Sequence, residues 1–161
     1  MVDYKEIIID VRKIVRSINL ESKRIQKDFG VSIPQLLCLT FLSKKNAYQA
    51  TQRELTEYLN LNSSTVTGII NRLEKKGLIA RMPKQGDKRV NYIALTSDGY
   101  KILDGAPKLL HDRLSISLQK LSTQKIDQIK SSLDLLIEVL DISDVDASPL
   151  FMAEEPNSSG E

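Results

Sequence analysis

From Thr51 to Leu95 the spacing of apolar residues changes repeatedly, and each change marks an element. Leu55 and Leu59 lie one turn apart behind Thr51-Gln52-Arg53-Glu54, a capping box in which the Thr hydroxyl caps the N3 amide and the Glu reaches back. Val66, Ile69, Ile70 and Leu73 then fall at i, i+3, i+4 and i+7, the one-sided stripe of a second helix. Asn60 ends the first helix, Asn62 or Ser63 caps the second, and Gly77 stops it with a left-handed residue. Two β-prone runs follow, Leu78–Met82 and Val90–Leu95, joined by Pro83-Lys84-Gln85-Gly86-Asp87-Lys88-Arg89, where Gly86-Asp87 is a hairpin signal. Helix, short turn, helix and hairpin in this order predict a winged helix-turn-helix: a mostly α fold with a small β-hairpin wing, the helix pair at about 51–77 and the wing at 78–96.

The flanks read as helices with surplus apolar surface. Ile7, Val11, Ile14, Ile18 and Ile25 line a helix running to about Phe29, where Gly30 ends it. Ile126, Ile129, Leu133, Leu136 and Leu140 form a 3-4-3-4 seam, crowded by Leu135, Ile137 and Val139. One small winged helix cannot cover both stripes, so N- and C-terminal dimerisation helices (1–29 and 98–145) around a winged core at 30–97 are expected, against an intrachain helical hairpin as the alternative. Between them Thr96 to about Leu121 predicts a long helix that Pro107 breaks or bends near Leu103. Residues 1–145 thus read as a single domain. From Asp141 on, DISDVDASPLFMAEEPNSSGE is acidic and rich in small residues and carries two prolines, which predicts a flexible acidic tail over 146–161.

The chemistry lies on the far side of the second helix. Ser64, Gly68, Asn71, Arg72 and Lys75 lie roughly opposite the apolar stripe, with Thr65 and Thr67 on its flanks and Ser63 at its start. No acid and no large apolar group interrupts this face, which suits a nucleic-acid groove. Asn can pair bidentately with adenine and Arg with guanine, while hydroxyls near a helix start can bond phosphate. Gly68 in mid-helix has two readings: close approach to a groove floor, or a tight contact inside the protein. Lys84, Lys88 and Arg89 put three cations on the hairpin tip, where Arg89 would fit a narrow minor groove.

Charge agrees with one face offered to phosphate. The net +2 of the 161 residues conceals 17 Lys and Arg against 9 Asp and Glu in residues 1–97, and 6 against 12 in residues 98–161. The single cysteine, Cys38, excludes an internal disulfide and sits in an apolar helix (Ile33–Leu39) that predicts a buried, inert thiol. With one His, His111, read as a helix-surface residue, the chain lacks material for a structural zinc site or a catalytic pair. No phosphate-binding loop, dinucleotide glycine pattern or paired-carboxylate motif occurs. An enzyme is not expected, nor a cofactor or metal. No apolar run reaches the ~18 residues of a membrane span, and the N-terminus lacks a hydrophobic signal core, so a cytoplasmic location is expected.

Thr51 to Gly99 resembles the multiple antibiotic resistance regulator (MarR) family of bacterial transcription factors. The resemblance is carried by TQRELTEYLNLNSSTVTGIINRLEKKGLIAR, by the D-x-R of the wing at Asp87-Lys88-Arg89 and by LTSDG from Leu95 to Gly99, and extends to about residues 5–142. It implies a homodimeric transcriptional regulator, a repressor binding double-stranded DNA at a pseudo-palindromic operator, often released by a small-molecule effector or an oxidant. It places Ser64, Thr65, Thr67, Asn71 and Arg72 on the recognition helix in the major groove, Arg89 in the minor groove, and Asp87 as the carboxylate that steadies Arg89. Family members that sense peroxide do so through a cysteine in the first helix, where this chain has none. The first helix and the late DVDASPL are similar to the subgroup controlling compatible-solute genes, which implies an osmolyte signal. A quaternary ammonium would want an aromatic cage, to which Phe29, Phe41, Tyr48, Tyr92 and Tyr100 could contribute, but the sequence shows no two of them converging and assigns no ligand residues. The alternative to DNA binding is a winged-helix module that docks a partner protein.

Overall fold

The structure, a computed structural model, describes residues 3–83, 86 and 89–145. Its helices are α1 (Tyr4–Phe29), α2 (Ile33–Ser43), α3 (Gln52–Leu59), α4 (Ser63–Lys75), α5 (Ser97–Gly105), α6 (Leu110–Leu118) and α7 (Thr123–Val139). Its strands are β1 (Gln49–Thr51), β2 (Ile79–Arg81) and β3 (Tyr92–Leu95). The chain divides into two compact units at Ala106/Pro107. The predicted acidic tail, 146–161, lies outside the described residues.

Local signals start and stop the helices of the first unit. Asp3 caps α1, and Gly30 ends it at φ 67°, with its N–H bonded to the Gln26 carbonyl. Ser32 and Gln35 cap each other at the start of α2, with Pro34 in the first turn, where its missing N–H costs no helix bond. The α2 residues Leu36, Leu37, Cys38, Leu39 and Leu42 are all buried, so this helix forms the centre of the core. Against it pack α3, through Leu55 and Leu59, and α4, through Val66, Ile69, Ile70 and Leu73.

The sheet has three antiparallel strands in the order β1-β3-β2, one more than the two runs predicted. Ala50 pairs with Ile93, and Arg81 with Ile93 on the other side. The strands are shorter than the β-prone runs; β3 starts at Tyr92, not Val90. Ahead of β1 a single 3-10 turn (Asn46–Tyr48) holds Ala47 and Tyr48 at positive φ, 54° each, and delivers the chain from α2 to the sheet.

Gly99 explains the glycine of the LTSDG segment. A Cβ there would lie 2.2 Å from the Leu78 carbonyl oxygen and 2.7 Å from Leu95 Cδ1. That carbonyl cannot step aside freely, because it accepts the Thr96 N–H, while the Thr96 hydroxyl donates to the Gly77 carbonyl. Gly99→Ala is therefore expected to destabilise the fold by about 2 kcal/mol through overpacking, a fall in melting temperature of roughly 4–8 °C. An unchanged melting temperature would show that the wing's first strand shifts at no cost.

Two expectations for the flanks change in detail. The α1 stripe divides: Ile18 and Ile25 are buried in the chain's own core, while Ile7 and Ile14 stay exposed, as do Ile8, Val15 and Leu20. The helix expected from Thr96 to Leu121 is two helices. It stops at Gly105 with the Ala106 N–H bonded to the Leu103 carbonyl, and α6 starts only at Leu110, past Pro107. In the second unit α7 carries Ile129, Leu133, Leu135, Ile137, Val139 and Leu140 exposed, with Ile126 and Leu136 half-buried.

Candidate nucleic-acid interface

The helix pair is held by its caps. The Thr51 N–H donates to Glu54 Oε2 at 2.8 Å and the Glu54 N–H to the Thr51 hydroxyl at 3.1 Å, closing the predicted box. The Thr51 backbone N–H, followed by Lys45 at 3.0 Å, holds the Glu54 carboxyl below its ordinary range. Asn60 at φ 51° turns the chain, and Asn62 caps α4 by accepting the Thr65 N–H at 2.8 Å. A further brace joins the two helices. Gln52 donates to the Thr67 hydroxyl at 2.7 Å, and that hydroxyl donates to the Ser63 carbonyl at 2.9 Å.

With its apolar stripe buried, α4 turns the expected face outward. Ser63, Ser64, Asn71, Arg72 and Lys75 are exposed; Thr65, Thr67 and Gly68 are half-buried. The Ser64 hydroxyl donates to Asn62 at 2.8 Å, which leaves its oxygen able to accept. Thr67 has both internal partners described above, so its hydroxyl acts first as part of the helix–helix brace. Around Gly68 a Cβ would meet nothing within 4 Å, which removes a tight contact inside the protein as the reason for glycine there.

Arg81, at the end of β2, joins this face although its position in a β-prone run gave no sign of it. It is ion-paired with Glu74 and donates to Asn71 Oδ1 at 2.5 Å. Lys76 reaches along the surface instead, its ammonium bonding the Gly30 carbonyl at 2.7 Å and tying the end of α4 to the cap of α1. In the wing, the Met82 N–H bonds the Tyr92 carbonyl at 2.9 Å, extending the hairpin one step beyond β2, and Gly86 has φ 78°. Arg89 is exposed on a turn. Lys84, Asp87 and Lys88 lie outside the described residues.

Elsewhere Cys38 is fully buried, and burial pushes its thiol up to about 12. His111 is exposed on α6. Among the described residues no His, Cys, Asp and Glu cluster could hold a metal ion, and no helix is long and apolar enough to cross a membrane.

A capped helix pair, a polar outward helix face and a three-stranded sheet with its hairpin define a winged helix-turn-helix protein. The MarR family model matches residues 31–90. The chain is 31% identical over 125 residues to the organic hydroperoxide resistance transcriptional regulator of Bacillus subtilis (strain 168), covering 78% of this chain and 82% of that protein. It is 31% identical over 94 residues to the HTH-type transcriptional repressor MdtR of the same organism, covering 58% of this chain and 59% of that one. Its fold matches the crystal structure of the S. aureus MepR–DNA complex with a TM-score of 0.60 at 22% identity, over 86% of this chain and 99% of that one. The chain belongs to the MarR family of DNA-binding transcriptional regulators, which are not enzymes.

Proposed function

We propose that this chain is a cytoplasmic, homodimeric repressor that binds a pseudo-palindromic operator and is released by a small-molecule effector. The observation that carries the reading is the outward face of α4, polar and net basic, with an uncrowded glycine at its centre. Its one carboxylate, the exposed Glu74 beside Asn71 that the sequence pattern did not place there, is paired with Arg81. In this reading Ser63, Ser64 and Thr65 meet phosphate at the helix start, where open backbone N–H groups favour anions. Asn71 and Arg72 reach base edges, and Lys75 meets the flanking backbone. The wing follows the minor groove through Arg89, with Lys84 and Lys88 on adjacent phosphates and Asp87 holding the arginine. Arg89→Ala is expected to weaken operator binding more than about tenfold with little change in melting temperature. An unaltered affinity would remove the wing from the interface.

Dimerisation is inferred from exposed apolar surface. The exposed isoleucines of α1 and the leucines of α7 form stripes of a kind that subunit association buries. For the effector, the subgroup resemblance implies a zwitterionic osmolyte, and Tyr48 and Tyr100, whose exposed rings meet edge-to-face at 6.3 Å, are the two cage candidates that lie together. Phe41 is stacked on Tyr58 at 4.5 Å and already carries the Lys45 ammonium 4.7 Å from its centroid. Glycine betaine should therefore perturb tyrosine emission in the wild type and not in Tyr48→Leu; equal spectra would dismiss this site.

Cys38 does not serve as a thiol switch in this reading. Burial holds the Cys38 thiol protonated at neutral pH, and the thiol is a far poorer nucleophile than the thiolate. Native protein is expected to resist iodoacetamide and to be labelled at Cys38 only after denaturation. Rapid labelling of the folded protein would restore a sensing role.

A further inference from the structure

We propose that Arg81 sets which base Asn71 selects, by occupying the carbonyl of its amide. The inference rests on α4 being the helix that enters the groove. Arg81 Nη2 donates to Asn71 Oδ1 at 2.5 Å, and the other terminal nitrogen is paired with Glu74. A guanidinium has donors only, so the atom facing it must be the amide oxygen, and the Asn71 NH₂ group is turned the other way. Asn71 and Glu74 are three residues apart on α4, neighbours on the helix surface, and hold the guanidinium between them. The strand carrying Arg81 is fixed in turn, because Arg81 pairs with the buried Ile93 and Met82 bonds Tyr92. The flat fork puts one terminal nitrogen on each partner, a two-atom geometry that the single nitrogen of an ammonium does not reproduce.

Bidentate reading of adenine needs the amide to accept from N6–H₂ while donating to N7. With a cation bonded to one lone pair of its oxygen, a second donor approaching that oxygen meets the guanidinium charge and bonds more weakly, whereas donation from the polarised NH₂ group is strengthened. Asn71 thereby reads chiefly as a donor. It favours the acceptors of guanine (O6, N7) or thymine (O4) and penalises the exposed amino groups of adenine and cytosine. Specificity at one base pair is thus set by a strand residue that need not touch it.

The test is enrichment of bound duplexes from a randomised pool, using the full chain and its variants. Wild-type half-sites should contain a position where guanine or thymine outcompetes adenine by about fivefold or more, the low end of one base contact. Arg81→Met frees the carbonyl and should move that position toward adenine by at least a comparable factor; Arg81→Lys should move it in the same direction. Asn71→Ala should flatten the position, and in that background Arg81→Met should change no base preference. Should Arg81→Met melt below the assay temperature, Glu74→Gln loosens the same guanidinium and should shift the same position. A variant motif identical to wild type at every position, or an equal loss for all sequences, overturns the inference while leaving operator binding intact. A wild-type chain that enriches no sequence overturns the operator reading and this inference together.

Discussion

Gly68→Leu is expected to reduce operator binding by at least about 100-fold, the loss of two or more base contacts at about 1–3 kcal/mol each, while the protein melts no lower than wild type. Gly68 sits in the middle of a 13-residue helix, where glycine costs about 1 kcal/mol against alanine. Nothing within the described chain accounts for that cost, since a Cβ there would meet no atom within 4 Å. In the proposed function the missing side chain serves close approach to the floor of a groove. Gly68→Ala separates the two effects. It should stabilise by about 1 kcal/mol, roughly 2–4 °C in melting temperature, while weakening binding less than leucine does. Wild-type affinity for Gly68→Leu would mean that α4 does not enter the groove on this side.

Ile14→Asp or Leu133→Asp is expected to split the dimer, raising its dissociation constant by at least about 100-fold, or about 2.7 kcal/mol, as read by sedimentation. Both side chains are exposed in the single chain, so neither substitution leaves a buried charge within one subunit. In the associated state each would put an unpaired carboxylate in an apolar interface. Operator binding should fall with dimerisation, because half of the phosphate and base contacts are lost. Ile25→Asp provides the contrast: that residue is fully buried on the same helix, and the change should unfold the protein rather than dissociate it. A soluble Ile14→Asp monomer with wild-type operator affinity would contradict the two-fold arrangement.

The features that the sequence made legible are those with local causes. The Thr51–Glu54 box, the Asn62 cap, the stops at Gly30 and Gly77 and the break at Pro107 each depend on residues a few positions apart. The buried stripe of α4 followed from helical periodicity, and with it the outward polar face. What was not legible depends on partners distant along the chain. β1 is three residues long and exists because Ala50 meets Ile93; its own residues carry no strong strand preference. The α1 stripe divides because only its later part reaches the core, which no spacing rule encodes. In the interface, Arg81 read as part of a strand, yet it meets a helix face ten residues earlier. Likewise Gln52 reaches Thr67 from the preceding helix and gives that hydroxyl an internal role.

Hydroxyl-radical footprinting on an enriched duplex reports whether two outward helix faces, related by symmetry, sit in successive major grooves. Protection is expected on both sides of a dyad, with half-site centres about one turn, ~34 Å, apart. Protection of a single patch without two-fold symmetry, or none at low salt, would contradict that arrangement.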